Sequence, residues 1–162
     1  MTRLHDLFAE QGQSPWLDNI RRGWITSGEL AGSAGAPVGD GAYVVAEADD
    51  AQVTLVGTGS EVSVCVDAAA ALTEAGISVR VVSFPCWELF ADADADTQEA
   101  VMRPELPSLA VEAGVSQGWH QWVDDVVSID RFGASAPGST VLRELGINVD
   151  NVVARVRALI GA

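Results

Sequence analysis

The stretch VTLVGTGSEV, Val53 to Val62, runs an apolar strand pattern into a glycine-bearing turn and then into a helix start. Such a turn aims the free N–H groups of the helix at whatever lies beyond the strand, so Gly57, Thr58, Gly59 and Ser60 form a candidate anion-binding turn. It falls short of both GxGxxG and GxxxxGK[ST], and the chain has no lysine to complete the second. The plainer reading is structural: Gly57 and Gly59 let a strand turn tightly into a helix.

A second constellation follows. Glu112 ends the apolar run of AVEAG, Trp119, His120 and Trp122 sit in GWHQW, and Phe132 opens FGASAP. Where strand ends converge at one edge of an α/β sheet, a carboxylate and an imidazole can exchange protons with a ligand. The competing expectation is that Trp119, His120, Trp122 and Phe132 form an interface with another domain or subunit, because aromatic-rich segments suit interfaces. No GxSxG nucleophile elbow is present, and no catalytic residue, cofactor-binding residue or metal ligand is assigned. His5 and His120, far apart in the chain, do not suggest a metal site.

These residues need a scaffold, and the composition supplies one. The 162 residues are 48% hydrophobic, enough for one domain with a core and an appendage but not for two full domains. The formal net charge of −14 repels a phosphate backbone and an anionic bilayer, so neither nucleic acid nor membrane is an expected partner. Cys65 and Cys86 stand without CxxC spacing, which fits a reduced, cytoplasmic setting. The start MTRLHDLFAEQGQ lacks the apolar run of a signal peptide, and no segment reaches the roughly 20 apolar residues of a membrane span.

The pattern divides near residue 40. AGSAGAPVGDG, 31 to 41, is a small-residue, Gly/Pro stretch that reads as a linker. Beyond it, AYVVAEA (42–48), QVTLVG (52–57), SVRVVSF (78–84), SLAVEAG (108–114) and DVVSIDRFG (125–133) read as strands. A helix starting at Ser60, capped by its hydroxyl and ended by Gly76, carries Val62, Cys65, Val66, Ala69 and Leu72 on one face. CWELF reads as a turn or short helix. ADADADTQEAVM, bounded by Pro104 and Pro107, predicts a surface helix, STVLRELG a short one, and the segment from near Asp150 an amphipathic one. Strands alternating with helices predict a three-layer α/β domain over 41–162, preceded by an appended segment, 1–40.

The blocks TGSEV, RVVSFP, VEAG and FGASAP, in order across 42–162, resemble the C-terminal domain of a transketolase. The resemblance implies a five-stranded mixed, mostly parallel sheet with helices on both faces, its first strand antiparallel to the rest. It also implies a thiamine diphosphate- and divalent metal-dependent ketol transferase of the pentose phosphate pathway. In that family the cofactor lies between two other domains, so the third domain supplies packing and interface and binds no cofactor alone. A partner chain carrying the two thiamine diphosphate-binding domains is therefore implied, and a homodimer follows by analogy. The alternatives are a regulatory module binding a small anion or nucleotide at the GTGS turn, or a fusion relic with no function beyond folding.

The opening, LHDLFAEQGQSPWLDNIRRGWITSGEL, is similar to the beginning of a transaldolase over about 3–31, and the resemblance implies that its WLD segment is a first barrel strand whose aspartate, Asp18, belongs to the active site. Transaldolase chemistry needs a Schiff-base lysine, and all nine basic residues here are arginines, which excludes that activity for this chain. One barrel strand cannot close a barrel, so 1–40 are expected to be mobile or to lie on the α/β domain through Trp16 and Trp24.

Overall fold

A computed structural model describes residues 40–162. The transaldolase-like segment with Asp18, the tryptophans Trp16 and Trp24, and nearly all of the predicted linker lie outside the described residues.

Five strands form one sheet in the order β1-β3-β2-β4-β5: β1 Tyr43–Ala46, β2 Val53–Gly57, β3 Val79–Ser83, β4 Ser108–Val111 and β5 Asp125–Val127. Pairings β2–β3, β2–β4 and β4–β5 are parallel, while β1 runs antiparallel along β3, from Tyr43 opposite Ser83 to Ala46 opposite Val81, with an irregularity between Val44 and Ala46. The sheet is thus the mixed, mostly parallel one expected. Its three central strands are buried along their whole length, as strands covered on both faces must be.

Alternation of side chains assigns the core to two faces. Val53, Leu55, Val79, Val81, Leu109 and Val111 face α1 (Glu61–Glu74), α4 (Gly138–Glu144) and α5 (Val149–Ile160). On the other face Val56, Val82 and Ala110 meet Phe84, the residue after β3, and Phe90, Met102 and Trp119, contributed by α2 (Trp87–Ala91), α3 (Ala95–Met102) and a 3-10 turn at Trp119–Gln121. Phe84 is central to this layer, with edge-on contacts to Phe90, Trp119 and Trp122 at centroid distances of 4.9, 5.9 and 5.2 Å.

Helix ends follow local chemistry. Gly76, at φ +82°, closes α1: its N–H donates to the Thr73 carbonyl and that of Ile77 to the Leu72 carbonyl, a pattern the αL geometry of glycine permits. At the other end the structure departs from expectation. Ser60 precedes the helix, but its hydroxyl makes no capping bond and instead donates to Glu61 Oε1 at 2.9 Å. The caps that do form are Asp94, accepting from the Thr97 N–H, and Asn148, accepting from the Asn151 N–H. Helix α5 covers its sheet face with Val152 and Val156 fully buried and Val149, Val153, Leu159 and Ile160 packed beside them, as its periodicity predicts.

Two of the predicted strands fall furthest short of their expected ends. SLAVEAG is strand only to Val111, and DVVSIDRFG only to Val127. Beyond Val127, Ser128 and Asp130 satisfy polar groups locally, the Ser128 hydroxyl and the Ser116 hydroxyl and N–H all donating to the Asp130 carboxylate, and the chain leaves the sheet as an exposed loop.

Candidate functional site

The connection after β2 leads to α1 on one face of the sheet; the one after β4 leads to the Trp119 turn on the other. Divergence of neighbouring parallel strands' connections opens a crevice at their carboxyl ends, the place where open α/β sheets bind ligands. Thr58 and Glu112 stand at its mouth, one residue beyond β2 and β4 respectively.

Here the crevice is tied shut by its own side chains. The Thr58 hydroxyl donates to Glu112 Oε2 at 3.1 Å, the Trp119 indole N–H donates to the same oxygen at 3.3 Å, and the Gly114 N–H donates to Oε1 at 2.6 Å. Glu112 thereby joins the β2 and β4 connections and fixes the indole of the buried Trp119. Beside it lies a pocket of about 240 Å³ lined by Thr58, Cys86, Trp87, Glu88, Glu112 and Trp119 among others.

The candidate anion-binding turn takes the geometry its glycines suggest, with Gly59 at φ +52° and a Cβ on Gly57 destined to meet Val62 N at 3.0 Å and Cys65 Sγ at 3.1 Å. Its electrostatics point the other way. Glu61, 7% exposed, occupies the first turn of α1, where its own carboxylate sits at the positive end of the helix, and Glu112 closes the turn from the β4 side. Two carboxylates and no cationic side chain among the residues of the turn do not fit a diphosphate or another dianion. Among the described residues no group of three or more His, Cys, Asp or Glu side chains is arranged to hold a metal ion. The residues present therefore do not fit thiamine diphosphate or its metal.

The structure divides the GWHQW and FGASAP residues. Trp119 is 1% exposed and belongs to the domain's own core, packed edge-on against Phe84 and, at 5.0 Å, Trp87. Trp122 is half-buried against Phe84 and Phe90. The interface expectation is thus corrected for Trp119, whose ring is consumed by intradomain packing; only His120 and Phe132 of the four are exposed. No hydrogen bond joins His120 to Glu112, so the structure does not assemble the carboxylate–imidazole pair.

Sequence reasoning missed the Thr58–Glu112–Trp119 tie, whose signal was the location of Thr58 and Glu112 directly after parallel strands. It also missed an ion pair at the opposite side, buried at its cation and half-exposed at its carboxylate. Arg80 of β3, 2% exposed at its side chain, donates through Nε to both oxygens of Glu47 at 2.9 Å, through Nη2 to the Ala100 carbonyl at 2.6 Å and through Nη1 to that of Val101. The guanidinium therefore closes the carboxyl end of α3, where a cation is favoured. Cys65 lies under the candidate turn; burial, reinforced by the negative charge of Glu61, pushes its thiol far above the ordinary range and keeps it protonated.

Comparison with known proteins agrees with this architecture. Residues 41–148 match the family model of the transketolase-like C-terminal domain. A transketolase of Nostoc is 46% identical over 137 residues, which cover 82% of this chain and 20% of that protein, so the chain spans about a fifth of the length of the curated relatives it matches. The structure of a transketolase from Leishmania mexicana superposes with a TM-score of 0.74 at 43% identity, covering 76% of this chain and 18% of that one. The fold alone is shared with a structure described as a split gene transketolase, inactive beta4 tetramer, at 24% identity and a TM-score of 0.58, covering 74% of this chain and 42% of that one. With a family model matched over 41–148 and its fold and sequence shared with these proteins, the chain belongs to the transketolase family, of which residues 41–148 are the C-terminal domain.

Proposed function

We propose that this chain is the structural and interface part of a thiamine diphosphate-dependent ketol transferase of the pentose phosphate pathway, without catalysis of its own. A second polypeptide carries the two thiamine diphosphate-binding domains, and with it the cofactor and the divalent metal. The observation that carries this reading is the conjunction of a family match through the domain with a crevice closed by the Thr58–Glu112–Trp119 tie. What this chain's residues do is mechanical: Glu112 holds two connections and an indole in one arrangement, and Arg80 fixes α3 to the sheet. The split gene transketolase is a fold precedent for the domain on a chain shorter than a whole transketolase.

In this reading residues 1–40 are an appended segment, 3–31 of it derived from a transaldolase, and the protein works in the cytoplasm. No helix among the described residues is long and apolar enough to cross a membrane.

The test is ketol transfer with thiamine diphosphate and magnesium. The purified chain alone should transfer nothing, and addition of a polypeptide bearing the two missing domains should produce activity. Transfer by the chain alone overturns the reading. The rival anion-binding function is tested by calorimetry with sugar phosphates and nucleotides, where the carboxylates around the turn predict no heat.

A further inference from the structure

Among the described residues three large hydrophobic side chains are exposed: Leu89 at 49%, Val115 at 53% and Phe132 at 96%. Leu89 lies in α2, directly after β3; Val115 lies four residues after β4; Phe132 lies five residues after β5. These three strands are parallel, so all three connections leave the same, carboxyl end of the sheet. Elsewhere the outward surface of the described residues carries no such side chain. Single exposed hydrophobics need no explanation, but three on successive connections at one edge, with none elsewhere, mark a surface made to be covered.

The charges at this edge say what covers it. Around the exits of these strands the exposed Glu88 and Asp130 and the half-buried Glu112 stand against one exposed guanidinium, Arg131. Hydrogen bonds from Ser128 and Ser116, with a smaller contribution from His120, lower the Asp130 carboxyl from its ordinary value and favour its charged form. A second copy would oppose the same acidic edge, on a chain of net charge −14. The complementary occupant is a different polypeptide with an apolar patch ringed by Arg or Lys.

We infer that the carboxyl edge of the sheet, through Leu89, Val115 and Phe132, is the docking surface for a basic-rimmed, apolar face on the polypeptide that carries the remaining four-fifths of a transketolase. The inference rests on the function proposed above and sharpens it, moving the interface from the tryptophans of GWHQW to the three strand-end connections. Phe132, 96% exposed, is the anchor; aromatic anchors dominate interfaces of this kind.

The experiment mixes the full chain with the Nostoc transketolase shortened by the fifth that this chain matches, and reads association by sedimentation velocity and transfer by ketol assay. Wild type should bind, Phe132→Asp and Leu89→Asp should each raise Kd by about tenfold or more, and Phe132→Leu should keep most of the affinity. Thr73→Asp, on the exposed side of α1, should bind as wild type does. Raising salt from about 0.1 to 0.5 M should weaken the complex several-fold, as a charged rim requires. Undiminished binding by Phe132→Asp and Leu89→Asp, absence of any complex, or self-association of the chain abolished by Phe132→Asp would each overturn the inference. Association through this edge without ketol transfer would sink the proposed function and leave the surface standing; transfer indifferent to the variants would do the reverse.

Discussion

Replacing Glu47 should destabilise the domain more than replacing Arg80, although the two form one ion pair. The asymmetry comes from burial: the Arg80 side chain is 2% exposed and that of Glu47 48%. Glu47→Ala leaves a side chain that is 2% exposed without its carboxylate partner, removing two 2.9 Å charge-assisted contacts and the anion 3.9 Å from Arg103 Nη1, so that Glu105, 3.0 Å from Arg103 Nε, is left to offset two neighbouring guanidinium groups. Breaking a fully buried pair costs about 3–5 kcal/mol, and the half-solvated carboxylate lowers this to about 2–3 kcal/mol. Arg80→Met removes the buried charge itself. Glu47 then turns to water, the thioether stem refills the space, and the loss is that of bonds to the Ala100 and Val101 carbonyls on the last turn of α3, about 1–2 kcal/mol where solvent reaches them. Urea unfolding of the full chain, with m of about 1.5 kcal/mol/M, should therefore show the midpoint falling by about 1.3–2 M for Glu47→Ala and by about 0.7–1.3 M for Arg80→Met. A larger fall for Arg80→Met would refute the reasoning, because it would mean that the net contribution resides in the buried cation and not in its compensation.

Gly41→Ala should cost about 3 kcal/mol or more, since a Cβ there would lie 2.4 Å from the Cys86 carbonyl oxygen and 2.4 Å from Phe90 N, both backbone, whereas Gly76→Ala, at the same φ of +82° with nothing within 4 Å, should cost only about 1–2 kcal/mol; thermal midpoints of the pair check this. Glu112→Ala leaves the indole N–H of buried Trp119 without its acceptor and should cost about 2 kcal/mol, with Glu112→Gln recovering roughly half because its amide oxygen still accepts; equal losses in urea titrations would argue against the tie. The Cys65 thiol, raised by burial from its usual 9.0, holds its proton in the folded state but releases it when unfolded. Its contribution is therefore complete below pH 9 and is lost at about 1.4 kcal/mol per unit as pH rises above it. Denaturation of Cys65→Val beside wild type at pH 8 to 10.5 should show a shallower decline in the variant.

How much of this was legible beforehand depends on whether the cause was local. The strand–helix alternation, the apolar stripe of α5 and the termination of α1 by Gly76 follow from periodicity and from the freedom of glycine at positive φ, properties each segment carries alone. The helix start at Ser60 was legible too, but not that its hydroxyl would turn to Glu61: it can accept from a backbone N–H of the first turn or donate to the neighbouring carboxylate, and only the folded geometry chooses.

Tertiary structure decided the rest, because each remaining feature joins residues distant in the chain. Thr58 and Glu112 are 54 positions apart, and nothing in either segment states that parallel pairing of β2 with β4 will put the hydroxyl and the carboxylate in contact. GWHQW reads as an interface, because nothing within the segment names the partners of its rings; Trp119 became core because Phe84 and Trp87, brought from another strand end, enclose it. Arg80 looks like a solvent-facing break in SVRVVSF until β1 and α3 bury it. By itself the sequence determined the family, the layers and the absence of lysine, since composition and pattern survive without coordinates. The fold alone decided that the glycine turn would be ringed by carboxylates and that Leu89, Val115 and Phe132 would share one edge, because a common edge exists only once three separate strands have been made parallel.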